Sequence, residues 1–363
     1  MSDPAVIIDE LQRGIDAGHH IGAAAAVVRD GKLVLDVQVG ARALPPDDDP
    51  LDADTLLLWM SAGKPLLAAT ALTLVEEGRI GLDDAVADHL PGFGQGGKDA
   101  VTLRHVLTHT GGFRAHALGM PIDDWAEAKA AALAAKLEPR WQPGVDAGYH
   151  VHSGWDALGA LVEHLTGTDV GAAIRERVCG PLAMTDTFPG FTPDERAAHA
   201  HRMAAVPDTR DPAAPAPGTY AARLATFTRP GGNTWGPARD LARFYDALLR
   251  GGGGVLRPDT VAQMTARQRA GVEDRTFRGV IDWGLGLTIN SAHLNDAPPM
   301  YGFGTRASRN TFGHGGNQAS MGWADPEAGF AAAVIFNGMP GEKAHQPRAR
   351  AAIDAVYGVI CDV

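Results

Sequence analysis

The chain has few cysteines, and fewer basic than acidic residues. Cys179 and Cys361 are its only cysteines, and they lack the paired spacing of a zinc or redox site, so we expect two thiols that are buried or on the surface. Lys and Arg number 32 against 43 Asp and Glu, which gives a formal net charge of −11. This balance argues against nucleic-acid binding, which needs a clustered basic face.

Long apolar runs are absent as well. No stretch reaches the roughly 18 apolar residues that a membrane-spanning helix needs. The first eleven residues are acidic, and they lack the basic segment and the long apolar core of a signal peptide. The sequence therefore predicts a cytoplasmic protein without a membrane span.

The Gly-x-Ser-x-Gly turn that presents the nucleophile of α/β-hydrolases is also missing, but another serine arrangement is present. Ser61-Ala62-Gly63-Lys64 opens an apolar segment, 65–75, which predicts a helix that ends near Gly78. Residues three apart share one helix face, so Ser61 would hold its hydroxyl beside the Lys64 amine, where unpaired backbone N–H groups favour negative charge. Alone, this pattern is common, and a solvated lysine is its ordinary interpretation.

Two further patterns resemble ligand sites but lack the context that those sites need. Residues 92–97 match the glycine pattern of a dinucleotide site, yet no predicted strand precedes them, so a loop is expected. His105 and His109 have the i, i+4 spacing of zinc ligands, but the glutamate of the zinc-protease motif is missing between them. We therefore expect neither a metal nor a cofactor.

The order of the predicted elements indicates one sheet built from both ends of the chain. A helix and two strands come first, and Arg29-Asp30-Gly31 joins those strands as a hairpin. Helical patterns dominate to about residue 250, and strands and a closing helix follow. This order favours a sheet domain with a mostly helical domain inserted into it. The terminal helices and strands are expected over 6–17, 21–28, 32–39, 284–289, 321–324, 331–336 and 346–359.

Several segments after the Ser-x-x-Lys motif occur in an order that resembles one family. These segments are 102–113, Pro143-Gly144 followed by Tyr149, 181–187, 231–234, and Gly313-His314-Gly315-Gly316 followed by 324–326. Together they resemble the serine β-lactamase-like hydrolases, which comprise class C β-lactamases, DD-peptidases and family VIII carboxylesterases. The resemblance covers nearly the whole chain, and several landmarks in order are far more specific than one motif.

The resemblance implies an α+β fold of the β-lactamase/transpeptidase type, in which an antiparallel sheet is flanked by helices and a mostly helical domain is inserted. We expect residues 1–58 and 255–363 to form the sheet domain. Residues 59–254 would form the helical domain that carries the Ser-x-x-Lys and Tyr motifs. The active site would then lie in the cleft between the two.

The resemblance also implies the roles of the site residues. Ser61 would be the nucleophile that forms an acyl-enzyme, and Lys64 and Tyr149 would transfer protons, with the order between these two left open. The backbone N–H groups of Ser61 and Asn317 would form the oxyanion hole. Substrate contacts are expected from His314, Gly315, Gly316, His150, Trp155 and Trp235, although packing is the alternative role for His150 and the two tryptophans.

Two departures from the family pattern bear on the substrate. His150-Val151 follow Tyr149 where lactamases and peptidases have Tyr-x-Asn, and His314 replaces a lysine. Both changes weaken the recognition of an anionic lactam or peptide, so they favour a carboxylesterase that acts on small-molecule esters. The alternatives are an amide or lactam hydrolase (a D-aminopeptidase or a weak β-lactamase), an acyltransferase, and a non-catalytic binding protein. Retention of Ser61, Lys64 and Tyr149 together argues against the last.

Overall fold

The two ends of the chain meet in one antiparallel sheet, which confirms the predicted fold class. The structure is a computed structural model and describes residues 3–45, 49–114, 124–211 and 228–361, together with positions 213, 215 and 218. The strands are β1 (Gly22–Arg29), β2 (Lys32–Gly40), β3 (Leu57–Met60), β4 (Thr234–Gly236), β5 (Glu273–Asp274), β6 (Gly279–Val280), β7 (Asp282–Trp283), β8 (Thr288–Ile289), β9 (Phe312–Gly316), β10 (Ser320–Asp325) and β11 (Phe330–Phe336). Seven of them form a sheet in the order β2-β1-β11-β10-β9-β8-β7, while β3 pairs with β4 and β5 with β6.

The first hairpin forms where the sequence predicts it. Asp30 and Gly31 have φ angles of 51° and 73°, and Arg29 pairs directly with Lys32. Two successive residues with positive φ are typical of the tight turns whose twist matches that of the flanking strands. β1 then pairs with β11, which joins the start of the chain to its end.

Alternation along β1 sends side chains into two separate cores. Because successive residues of a strand point to opposite faces, a sheet covered on both sides needs apolar residues throughout. Helices Ala5–Asp16 and Glu342–Cys361 contribute to one core, and helix Ala238–Leu249 packs on the other face. The two sets along β1 are Ala23, Ala25 and Val27 on the first face and Ala24, Ala26 and Val28 on the second.

All the regular elements described between β3 and β4 are helices or helical turns. The central helix, Lys64–Glu76, is buried along residues 64–74 and ends before Gly78, as its apolar composition predicts. The other helices outside the chain ends are Val86–His89, Leu103–Leu107, Trp125–Ala134, Ser153–Thr166, Val170–Ile174, Pro193–His199, Ala238–Leu249 and Pro258–Thr265, with a π-helical turn at Arg175–Cys179 and 3-10 turns at Ser61–Gly63, Ala200–Arg202 and Ala292–Leu294.

The structure departs from the sequence-based expectations at one helix and one strand. Helix Ala238–Leu249 packs across β1, β10 and β11, although it lies within the segment 59–254 that is expected to form the helical domain. The limits of the two domains stay a prediction. The predicted strand over 284–289 is wrong except for β8. Its first part is a turn in which Gly286 has a φ of 83° and donates its N–H to the Leu107 carbonyl oxygen, so the apolar run contacts the helices.

In the part of the chain that the structure describes, no helix combines the length and the apolar composition needed to cross a membrane.

Candidate active site

Ser61 lies at a sharp turn between a strand and a helix. β3 ends at Met60, whose φ of 52° and ψ of −133° are rarely adopted by a non-glycine residue. The chain then forms the 3-10 turn Ser61–Gly63 and enters helix Lys64–Glu76. β9 passes close by, since a Cβ at Gly316 would lie 2.1 Å from the Trp59 carbonyl oxygen. Only glycine allows this approach, which brings the 314–317 segment beside Ser61.

Lys64 places its amine against the Ser61 hydroxyl. Lys64 Nζ donates to Ser61 Oγ at 2.8 Å and also to the Gly231 carbonyl oxygen. The side chain is fully buried, and this burial lowers the pKa of Lys64 well below its ordinary value, although the Asp156 carboxylate acts in the opposite direction. A neutral amine has a lone pair that can take a proton from a hydroxyl, which a base for Ser61 must do.

An ion pair that the sequence analysis missed supports the loop that receives Lys64. Arg229 donates to both oxygens of the Asp156 carboxylate, at 3.1 and 2.7 Å. The two side chains are 6% and 0% exposed, and the Arg229 backbone N–H donates to Asn233 Oδ1 at 2.7 Å. A two-pronged Arg–carboxylate contact fixes the direction of both groups. It therefore holds the 229–233 turn, whose Gly231 carbonyl accepts from Lys64.

Tyr149 lies beside Lys64, with its ring centre 5.5 Å from Lys64 Nζ. Its backbone N–H donates to Asp274 Oδ1 and its carbonyl accepts from Thr276 Oγ1, both at 3.1 Å. Asp274 is fully buried and pairs with Arg269 at 3.0 Å. This carboxylate, also missed from sequence, anchors the backbone at Tyr149 to a segment more than a hundred residues further along the chain.

Two buried histidines lie behind the Tyr149 ring. The His150 backbone N–H donates to His109 Nδ1 at 2.9 Å, and the Phe113 N–H donates to His150 Nε2 at 3.3 Å. These roles leave His150 Nδ1 as the donor across the 3.2 Å contact to His109 Nδ1. Burial lowers the pKa of His109 well below its ordinary value and that of His150 to about 3. Both rings are thus neutral, and His150 lies behind the site instead of lining it.

His314 reaches the cleft from β9 as a neutral side chain. Its Nδ1 donates to the Gly315 carbonyl oxygen at 2.7 Å. Burial, and then Lys64 when its amine is charged, lower its pKa to about 3. With Nδ1 as the donor, Nε2 is an acceptor, and it meets no hydrogen-bond partner among the described residues. His314 therefore offers no cation to a substrate carboxylate at neutral pH.

A cavity of about 270 Å³ opens over Ser61. Five of the predicted residues line it: Ser61, Tyr149, His314, Gly315 and Asn317. The other lining side chains are mainly apolar or aromatic, a composition typical of small-molecule sites. They are Val151, Thr276, Phe277, Ile281, Trp283, Thr288, Met300, Tyr301 and Glu342, and of these only Val151 belongs to one of the sequence motifs.

Trp155 and Trp235, for which the sequence leaves substrate contact and packing open, do not line this cavity. Trp155 is 1% exposed, and its ring centre lies 5.7 Å from Lys64 Nζ, on the inner side of the site. Trp235 on β4 packs in a separate core cluster with Phe188 and Phe191. Large rings fill the core around the buried lysine and the Ser61 turn, so packing is the role that their positions support.

The structure also accounts for the glycine pattern, the histidine pair and the two cysteines, for which the sequence predicts no ligand site. Among the described residues, no three His, Cys, Asp or Glu side chains come together in a way that could hold a metal ion. His105 accepts from the Thr102 backbone N–H at 3.2 Å and so completes a helix cap, whereas His109 contacts His150. Residues 92–97 form consecutive turns. Among the described residues no disulfide involves Cys179, which is buried, or Cys361, which is exposed.

The fold and the site together have the form of a hydrolase with a Ser-x-x-Lys nucleophile. A family model described as Beta-lactamase matches residues 7–357. The chain therefore belongs to the β-lactamase family of serine hydrolases, which confirms the resemblance seen in its motifs.

Individual relatives include proteins described as esterases. The chain is 30% identical to Esterase EstB from Burkholderia gladioli, over 93% of this chain and 91% of that protein. A solved family VIII carboxylesterase is similar with a TM-score of 0.80 and 27% identity, over 98% of both chains. A penicillin-binding protein homologue from Caulobacter crescentus has a TM-score of 0.80 and 28% identity, over 98% of this chain and 97% of that one.

Proposed function

We propose that the chain hydrolyses small-molecule carboxylic esters through an acyl-enzyme on Ser61, with Lys64 and Tyr149 as its proton-transfer pair. The observation that carries the proposal is the 2.8 Å contact between Lys64 Nζ and Ser61 Oγ, made by an amine that is fully buried. Lys98, which is equally buried, donates to three backbone carbonyl oxygens, as a lysine with a structural role can. The Lys64 amine reaches the Ser61 hydroxyl as well as a carbonyl oxygen, and Ser61 lines a cavity together with Tyr149.

Each step of this reaction conserves atoms and charge. Ser61 Oγ forms a bond to the ester carbonyl carbon while its proton passes to the Lys64–Tyr149 pair. In the arrangement that the family resemblance implies, the backbone N–H groups of Ser61 and Asn317 bind the oxyanion. The tetrahedral intermediate then breaks its bond to the leaving oxygen, which takes a proton from the pair and departs as the alcohol. Water repeats the sequence on the acyl-enzyme and releases the acid.

The lining of the cavity supports esters as the substrate class. Val151 stands where the family peptidases and lactamases carry an amide side chain, and His314 is neutral because its pKa is lowered to about 3. Neither residue offers the hydrogen bond or the positive charge that a lactam carboxylate needs. Phe277, Ile281 and Trp283 provide apolar surface for an acyl or alcohol group.

A substrate panel tests this preference. We expect p-nitrophenyl esters of short acids to exceed nitrocefin and a D-alanyl peptide by at least about a hundredfold in kcat/KM, which is about 2.7 kcal/mol of transition-state discrimination. Ser61→Ala is the control, and its turnover of every substrate should fall by several orders of magnitude. Comparable efficiencies on esters and lactams would overturn the ester preference and favour an amide or lactam hydrolase. Ester formation that outcompetes hydrolysis when an alcohol is added would indicate an acyltransferase.

A further inference from the structure

One wall of the cavity carries a carboxylate. Glu342 begins the C-terminal helix, Glu342–Cys361, and lines the cavity together with Ser61 and Tyr149. Among the described lining residues it is the only Asp or Glu, and none of them is Lys or Arg. A negative charge in the first turn of a helix is favourable, since the backbone N–H groups there are unpaired. The fold therefore places a carboxylate at the edge of the substrate site.

The hydrogen bonds of Glu342 come from neutral groups. Tyr301 Oη donates to one carboxylate oxygen at 2.6 Å, and Gln346 Nε2 donates to the other at 2.8 Å. In the described part of the chain no Lys or Arg pairs with this carboxylate. The nearby Arg348 guanidinium donates instead to backbone carbonyl groups, among them that of Gln318, and to a buried histidine. The charge of Glu342 thus lacks a direct ion-pair partner.

No cation among the described lining residues offsets this charge, although outside the lining burial lowers the pKa of the Arg348 guanidinium and the charge of Glu342 acts to raise it. Burial lowers the pKa of Lys64 well below its ordinary value and that of His314 to about 3. The walls next to them are the aromatic rings of Tyr149, Phe277 and Trp283. Aromatic faces beside a carboxylate are the usual surroundings of a bound ammonium group, since both attract a cation and tolerate its methyl groups.

We propose that Glu342 makes the cleft selective for esters that carry an ammonium group, and against esters and lactams that carry a carboxylate. This selectivity rests on the proposed esterase function and names its substrate class. An ammonium group on the acyl or the alcohol part would gain the attraction of Glu342. A carboxylate at the same place would meet like charge in a partly buried site, where water screens poorly.

Isosteric ester pairs measure the selectivity in the wild-type protein. On the alcohol side, butyrylcholine is compared with the ester in which a tert-butyl group replaces its trimethylammonium group. On the acyl side, the p-nitrophenyl ester of butyrobetaine is compared with its tert-butyl analogue. In at least one pair the cationic ester should have a kcat/KM at least about tenfold higher at low ionic strength, and added salt should reduce this ratio. Mono-p-nitrophenyl glutarate should be cleaved more slowly than its methyl ester.

Two variants separate the charge of Glu342 from its hydrogen bond. Glu342→Gln removes the charge but keeps an oxygen that can accept from Tyr301. The kcat/KM ratio of the cationic ester to its tert-butyl analogue should therefore approach one, and so should the ratio of the glutarate to its methyl ester. Tyr301→Phe keeps the charge of Glu342 and removes one of its two hydrogen bonds, so the ratios should persist. Glu176→Gln, an exposed position outside the cavity with the same change in net charge, is the matched control and should leave every ratio unchanged.

Three outcomes overturn the inference: equal kcat/KM within both cationic pairs, ratios that do not respond to salt, or ratios that Glu342→Gln leaves unchanged while all rates fall together. The last result would assign Glu342 to positioning only. If the neutral esters are turned over in the same assays but the cationic esters are not preferred, the esterase proposal stands and only the charge selectivity is overturned. If no ester is turned over, protection of Ser61 from a phosphonate probe by choline, against its tert-butyl analogue, still decides the charge preference. If Glu342→Gln does not fold, the wild-type ratios and their salt dependence decide.

Discussion

Burial keeps the side chains of Lys64 and His314 neutral in this site. Lys64 is the clearest case, because burial holds its pKa well below the ordinary value while its amine contacts Ser61 at 2.8 Å. The same cause lowers the pKa of His314 to about 3. A buried amine is expensive to charge, so the resting site holds a base that is ready to accept a proton. The chemistry thus follows from desolvation more than from any neighbouring charge.

Lys64 and Tyr149 are predicted to act as one unit. Lys64→Ala and Tyr149→Phe should each lose most of kcat, and the double variant should lose little more than the worse single one, since members of one proton relay are not additive. Lys64 is protonated below its folded-state pKa, so kcat/KM should rise with pH to an alkaline plateau that reports the pair. A pH profile of kcat/KM for the wild type and the three variants checks both points.

His314 is the control for this mechanism. Its pKa of about 3 lies far below the working range, so it should not contribute to the alkaline rise. His314→Ala should therefore keep measurable turnover and the same rise. If His314→Ala is inactive while Tyr149→Phe keeps a kcat near that of the wild type, a Ser–His mechanism replaces the Lys–Tyr pair.

At the level of elements, local chemistry made the site helix and the first hairpin predictable. Asp30-Gly31 between two apolar runs specifies a tight turn, and the apolar segment after Lys64 specifies a buried helix. The strand predicted over 284–287 is wrong, because the Leu285 and Gly286 N–H groups donate to carbonyl oxygens of two helices instead of a neighbouring strand. A strand pattern alone does not say where those bonds go.

The supports of the catalytic residues could not be predicted in the same way. Asp156 and Arg229 are 73 residues apart in sequence and look like ordinary polar residues until the fold pairs them. Asp274 likewise follows Tyr149 by 125 residues. Motifs identify groups that carry chemistry, whereas their positioning partners are set by tertiary contacts without a local pattern. Glu342 was missed for the same reason, since nothing near it in sequence marks a cavity wall.

For the whole molecule, the burial of several histidines links stability to pH. Burial lowers the pKa of His20, His150 and His314 to about 3 each, from an ordinary value of 6.5. These residues lie in different parts of the fold, against the N-terminal helix, behind Tyr149 and on β9. In the unfolded chain each ring takes up a proton near its ordinary pKa of 6.5, whereas the folded protein keeps the ring neutral.

The protein should therefore lose stability in mild acid. Below about pH 6.5 the unfolded state binds more protons, so the free energy of unfolding should fall by about 1.4 kcal/mol per pH unit for each such histidine, down to about pH 3. Urea unfolding at pH 7.5 and 5.0 measures this slope. His20→Gln should reduce it, and His201→Gln, at an exposed position, should not. Equal unfolding midpoints at the two pH values would show that these rings are not held neutral by the fold.

The central claim, a covalent acyl-enzyme on Ser61, is tested most directly by intact-protein mass spectrometry after rapid quenching of the reaction with p-nitrophenyl butyrate. The wild-type protein should gain the mass of one butyryl group, and peptide mapping should place it on Ser61. Ser61→Ala, with unchanged circular dichroism, should show no adduct and no labelling by a fluorophosphonate probe. An adduct mapped to another residue, or full labelling of Ser61→Ala, would contradict the account and move the nucleophile elsewhere.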